Sequence, residues 1–435
     1  MRRGDRSLVR AGQFAQLARQ GGLITVALAL PRLGVGTAAI GDWEGLLYAG
    51  YVLGFGWLTG LTQAYLTVVR RRRDPAALGR WLLNRVLLVS AALLLVAALG
   101  HGALFGLLQF PGPPRGWAYF FVYLLVQWAG LTYEQRLAAE QRPRELFAFA
   151  ALSGLGFVLS LLVPLYLGRG LVTALGCLAA FSALRLTYVL LRNRPAPTPQ
   201  QPPLPKREPT GDLLATALPL MAFASLNAAN AAFDPWFVNY WFDGDPATFA
   251  RFRYGTRELP LVVAGINGLS LVALARLGED RAAGLALLRA GSRRLMHWVF
   301  PVVLLLLLTS PYWWEPLFTA RFADSLPLFQ LYVFVVASRL LLPTTVLTGL
   351  GHAAALPWFA VLEVVTNVVL SVLLASAYGL AGVVLATVLA YLLDKLAIAA
   401  YLRWRTGIPP SSYLAVRWYL AYLAVLTAAW WLISH

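Results

Sequence analysis

Residues 44–74 read EGLLYAGYVLGFGWLTGLTQAYLTVVRRRRD. Between Glu44 and Arg70 no residue carries a charge, and as a helix the stretch would extend about 37 Å. That is enough to cross the ~30 Å of hydrocarbon in a bilayer. It then ends on four consecutive arginines, which hydrocarbon excludes. Comparable apolar runs are expected at 11–32, 44–69, 81–108, 116–139, 146–168, 170–192, 213–242, 259–277, 296–319, 326–350, 355–377, 379–402 and 413–433. The expected fold class is therefore an all-α polytopic membrane protein with about 13 transmembrane helices. Composition agrees. Of 435 residues, 59% are hydrophobic and 13% charged, too little charge to cover a soluble surface. The ~10-residue strands of alternating polarity that mark a β-barrel are missing. The first run passes directly into membrane-type sequence without a small-residue cleavage site, so it reads as a span and not as a leader. The single cysteine, Cys177, lies in an apolar run, which excludes a disulfide scaffold or a cysteine metal site.

Arginine placement sets the expected orientation. With the N-terminus inside, the cytoplasmic segments hold Arg2, Arg3, Arg6 and Arg10; Arg70 to Arg73 and Arg80; Arg136, Arg142 and Arg144; Arg192, Arg194, Lys206 and Arg207; Arg276, Arg281, Arg289, Arg293 and Arg294; and Arg403, Arg405 and Arg417. The opposite loops hold Arg115, Arg169, Arg251, Arg253, Arg257 and Arg321. Every second loop is basic, the positive-inside pattern, and Trp43, Trp117, Trp236, Trp241, Trp313, Trp314, Trp430 and Trp431 sit at the opposite ends as an interfacial belt. The net charge of +17 thus reads as a topology signal and an attraction to anionic membrane lipid, with no nucleic-acid partner.

The organisation is bipartite. Residues 192–212, RNRPAPTPQQPPLPKREPTGD, form the longest polar stretch, and their prolines favour extended backbone. The expected domains are an N-terminal six-helix lobe (1–192), a cytoplasmic linker (193–212), a C-terminal six-helix lobe (213–402) and an extra C-terminal helix (403–435). The halves echo each other, since Tyr48 and Tyr254 each open an apolar stretch that ends in a basic-acidic turn. Six helices per copy is an even number, so the halves are expected to be parallel repeats around a central cavity.

Three stretches carry a family resemblance. PRLGVGTAAIGDWEGLLYAGY (31–51), with Gly41, Asp42, Glu44, Gly45 and Tyr48 in place, resembles the join of the first two helices in the multidrug/oligosaccharidyl-lipid/polysaccharide (MOP) flippase superfamily. NYWFDGDPATFARFRYGTRELPL (239–261) resembles its join between helices seven and eight, and LASAYGLAGVVLATVLAY (374–391) the opening of helix twelve. Within that superfamily the chain is most similar to the polysaccharide-transporter, or O-antigen flippase, branch, with similarity also to lipid II flippases. The resemblance implies a two-lobed twelve-helix core in a bacterial cytoplasmic membrane. It implies a lipid-linked oligosaccharide as cargo, with a glycan polymerase and a chain-length regulator as partners. It also places Arg19, Arg32 and Arg257 at the cargo's diphosphate. Lipid II and cationic drugs are the alternative cargoes. No enzymatic activity, cofactor or metal is expected. A membrane glycosyltransferase could use Asp42 and Glu44, but their loop is too short to fold such a site.

Other candidates follow from the cost of charge in hydrocarbon. Arg339 lies near the middle of 326–350, either as a buried ion pair or as an anion-binding group facing a cavity. Guanidinium suits the latter because it grips phosphate oxygens bidentately and never loses its charge. Arg185 is expected to snorkel to the cytoplasmic side. Polar stripes fall at Asn227, Asn230 and Asp234, at Glu363, Asn367 and Ser371, and at Thr59, Gln63 and Thr67. Each stripe alone is explained by interhelical hydrogen bonds. Together they suggest a hydrated cavity. Asp234, Glu363 and Asp394 are candidates for proton or sodium coupling. Asp394 and Lys395, being adjacent, are not expected to face each other on a helix, so one of them is expected to pair elsewhere.

Overall fold

The computed structural model describes residues 3–69, 75–193 and 210–434. Most of the 193–212 linker lies outside them. Among the described residues the chain is helical and contains no strand. In order, the helices are α1 (Arg3–Arg32), α2 (Thr37–Val69), α3 (Pro75–Leu99), α4 (His101–Leu107), α5 (Trp117–Ala139), α6 (Pro143–Tyr166), α7 (Leu171–Arg192) and α8 (Thr210–Trp241). Then follow α9 (Pro246–Gly255), α10 (Pro260–Glu279), α11 (Arg281–Phe318), α12 (Leu326–Tyr332), α13 (Val335–Arg339), α14 (Pro343–Gly349), α15 (Leu356–Thr406) and α16 (Val416–Ser434). The thirteen expected runs fall mainly on helix, 81–108 across α3 and α4 and 326–350 across α12 to α14, as a backbone in hydrocarbon favours. Nine stretches among the described residues are long and apolar enough to cross a membrane.

One of these stretches is 54 residues long, Ala353–Thr406, and is a hairpin. Its backbone reverses at Gly379, where φ is 57° and ψ −134°. The two arms then run antiparallel, with Phe359 and Tyr401 ring centroids 5.5 Å apart. The expected spans 355–377 and 379–402 are these two arms. The run 326–350, expected as one helix, is instead three short ones, α12 to α14. Leu342 takes a left-handed φ of 57° immediately before Pro343, whose ring disfavours helical geometry in the residue before it.

The described residues group into two compact units, Met1–Ala250 and Arg251–His435. In the first, α1 packs on α6, α5 on α3 and α7, and α2 along α8. A cluster of Ala11, Ala15, Leu83, Tyr133, Leu137, Phe149 and Val189 closes one part of its core. The α2–α8 contact depends on missing side chains. A Cβ at Gly60 would strike the backbone of Met221, and one at Gly56 would strike Ser225. Small residues four apart let two helices approach this closely in lipid. In the second unit α10 packs on α11, α12 to α14 pack on α15, and α16 packs on α11. Tyr419 of α16 donates to the Ala337 carbonyl at 3.1 Å. The outer surfaces are apolar, with Leu88, Leu95, Val96 and Leu99 of α3 all exposed. A water-soluble protein rarely shows so large an apolar face, whereas lipid requires it.

Candidate functional site

In the first unit, most of the expected cations find partners inside the fold. Arg19 on α1 forms an ion pair with Glu134 on α5, whose side chain is almost wholly buried. Arg185 on α7 adds attraction to the same carboxylate. It does not snorkel. It is 8% exposed, donates to the Gln127 side chain at 2.8 Å and lies 5.2 Å from the Phe149 ring centre. Its helix face points inward, and Gly130 leaves room beside the guanidinium. Arg136 donates to Glu140 at 2.5 Å and to Asn193 at 2.6 Å, and Asn193 in turn donates to Asn84 at 2.8 Å. Arg136, Glu140, Asn193 and Asn84 thus form one hydrogen-bonded network, which offsets the burial of charge. Arg32 sits exposed at the end of α1.

Asp42 and Glu44 lie inside α2, and Glu44 is buried at 1% exposure. Asp42, Arg115 and Arg169 line a cavity of ≈ 400 Å³ beside the α1–α2 turn. Of the polar stripes in this unit, Thr59 is half-buried, and Gln63 and Asn227 are exposed. Asn227 donates to its own helix at the Phe223 carbonyl, 3.1 Å away. Asn230 and Asp234 are both half-buried on α8.

The second unit brings two expected residues together. Arg257 lies in the short non-helical connection between α9 and α10, and Arg339 at the last residue of α13. Both line one cleft with Leu259, Val262, Phe329, Tyr332 and Val336. The broken run explains how a mid-span arginine reaches it. Because the helix stops at Arg339, the side chain leaves from a helix end and not from a packed face. Aromatic rings steady both cations. Arg257 lies 4.8 Å from the Tyr254 ring centre and Arg339 5.2 Å from that of Tyr391, within cation–π range. The residue that sequence reasoning missed is Glu258, which lines the same cleft and forms an ion pair with Arg339. It follows Arg257 directly, which was the available signal.

The acids expected to couple an ion also gain a partner. Lys395 lies 2.5 Å from Asp394 and 4.0 Å from Glu363 across the α15 hairpin. The adjacent pair does meet, contrary to the helical-wheel expectation, since the long lysine stem curls back to the carboxylate at its side. Asn367 is buried and accepts from Ser371 at 3.4 Å. Among the described residues no group of three or more metal-ligating side chains occurs.

No family profile and no curated protein sequence matches the chain. Solved structures do. One described as "Lipid II flippase MurJ, inward closed conformation" aligns over 98% of this chain and 97% of its own, with a TM-score of 0.63 and 13% identity. An inward-facing multidrug resistance MATE family transporter of the MOP superfamily aligns over 90% and 98%, with a TM-score of 0.63 and 17% identity. A MOP superfamily transporter from Pyrococcus furiosus, described as having a binding pocket of reverse polarity, aligns over 93% and 96% with a TM-score of 0.60 and 17% identity. The fold of this chain is the one these MOP superfamily transporters share.

Proposed function

We propose that the chain is a flippase that moves a polyprenyl-diphosphate-linked oligosaccharide across the bacterial cytoplasmic membrane for surface polysaccharide synthesis. The observation supporting this is that Arg257 and Arg339, far apart in sequence, line a single cleft against aromatic rings. Two guanidiniums match the two phosphates of such a carrier. Tyr332 and Phe329 offer faces for sugar rings, and the lipid tail remains in the bilayer. Arg19 and Arg32 are proposed as further cations for the diphosphate from the N-terminal lobe. Thr59, Gln63, Asn227, Asn230 and Asn367 would line the hydrated path. Asp234, Glu363 and Asp394 are the proposed ion-coupling acids, the last two acting through Lys395. Transport would proceed by alternating access of the two lobes, with a glycan polymerase and a chain-length regulator using the product.

The test is Arg339→Ala in cells that make a surface glycan. Both members of the Arg339–Glu258 pair are 37% exposed, so the variant is expected to reach normal abundance. Surface glycan should fall sharply while its lipid-linked precursor accumulates on the inner leaflet, and Arg339→Lys should restore only part of the flux. Accumulation of lipid II instead would transfer the same chemistry to the alternative cargo suggested by the MurJ likeness. Normal glycan export at normal abundance would sink the proposal. Altered resistance to cationic drugs, with strong dependence on Asp234 and Glu363, would mark a drug antiporter.

A further inference from the structure

We infer that Glu258 is a tethered counter-anion for the cleft: it holds Arg339 while the cleft is empty, yields to the diphosphate of the cargo, and keeps binding weak enough for release. The inference rests on the proposed diphosphate reading of Arg257 and Arg339. Among the residues lining the cleft, two guanidiniums stand against one carboxylate. That carboxylate does not neutralise the pair at random. It sits on Arg339, and Arg257 lies against the face of Tyr254 in the same cleft.

Opening is feasible for two reasons. Both partners are 37% exposed, so the pair opens onto the cleft and a displaced carboxylate is not forced into packed protein. Glu258 also belongs to the non-helical stretch 257–259, between the end of α9 at Gly255 and the start of α10 at Pro260. Its backbone is therefore outside any helical hydrogen-bond ladder. Arg339 loses little order in the exchange, because the Tyr391 ring still supports its guanidinium. A diphosphate brings more charge and more oxygens than a carboxylate, so it wins the exchange while it remains in the cleft. Once it leaves, Glu258 is attached one residue from Arg257 and returns at a high effective concentration. A carrier needs this balance, because a cation pair with no competitor would hold its cargo and lose turnover.

The experiment uses the full-length purified chain and geranyl diphosphate, a soluble short prenyl diphosphate, with affinity and dissociation rate measured at fixed salt. Glu258→Gln should tighten binding by about tenfold, the scale of one unit charge at close range in a partly hydrated site. The gain should lie chiefly in slower dissociation. Arg339→Gln should weaken binding, and adding Glu258→Gln to it should give little gain, because the liberated partner is gone. Glu258→Ala should repeat the gain without an amide that could bond to Arg339. Unchanged or weaker binding in both Glu258 variants, while Arg339→Gln still loses affinity, overturns the counter-anion and leaves the diphosphate site standing. If neither the unaltered chain nor Glu258→Gln binds the probe, the diphosphate reading itself fails, and the inference with it.

Discussion

At the residue scale, two of the four arginines expected to bind an anion, Arg19 and Arg339, already hold carboxylates. Arg19 pairs with Glu134, 115 residues away, and Arg339 with Glu258, 81 residues away. The two pairs differ in burial, and so in what their removal does. The Glu134 side chain is 6% exposed, so Arg19→Ala strands a carboxylate in the interior. The destabilisation should stay below the roughly 3–5 kcal/mol of a fully uncompensated buried charge, since Arg185 still acts on Glu134. Arg19→Ala should therefore lower abundance and the thermal midpoint in detergent, and Glu134→Gln in the same chain should recover most of the loss. A variant with normal stability would show that the Arg19–Glu134 pair contributes nothing to the fold. Arg185 makes the related point about reading. Seven residues from a helix end, it was expected to reach the interface, but the interior offers it Gln127, Phe149 and Glu134, and these outweigh water.

At the element scale, glycines decide where helices meet and where they turn. Gly60→Ala would press a methyl group into the Met221 backbone, and backbone cannot yield as a side-chain tip does. We expect a loss of about 1–3 kcal/mol, read as a lower unfolding midpoint. Gly12→Ala on α1, where nothing lies within 4 Å of the added carbon, should be neutral or slightly stabilising. Equal behaviour of the two variants would show that the α2–α8 contact is looser than described. Gly379 has a different role, as the reversal point of the α15 hairpin at φ 57°. Gly379→Ala puts a Cβ in a region closed to L-residues and should cost about 1–3 kcal/mol. The hairpin was legible in advance, because 355–377 and 379–402 separate at YG. The break at Arg339 was not. Pro343 disfavours helical geometry at Leu342, but the left-handed turn there depends on how α12 to α14 pack on α15.

At the scale of the whole molecule, the alternation of basic and poor loops predicts an internal linker and an external C-terminus. A reporter fused after Pro203 should be active only on the cytoplasmic side. Activity outside would reverse the orientation. His435→Cys should be labelled in intact cells by an impermeant thiol reagent. Because Cys177 is exposed, the measurement needs Cys177→Ala to remove its background. Absence of labelling would leave the end of α16 inside. The structure attaches that helix to the second unit through the Tyr419–Ala337 bond and the stacking of Phe300 on Tyr422, 5.1 Å apart.

The sequence by itself determined that this is a chain of helices long enough to cross a membrane, and where most of the apolar runs lie, though not that 326–350 breaks into three. Those properties are one-dimensional. Hydrocarbon excludes charge residue by residue, and a backbone surrounded by lipid must bond within its own segment. The motifs at 31–51, 239–261 and 374–391 carried the family resemblance for the same local reason. Tertiary structure alone decided which charges meet. That Glu258 and not a deeper acid takes Arg339, that Glu134 takes Arg19, and that Lys395 joins Asp394 to Glu363 depends on side chains brought together from distant parts of the chain. Hydropathy assigns each of these groups the same cost of burial. It does not say which neighbour repays that cost, because the neighbour exists only once the helices have packed.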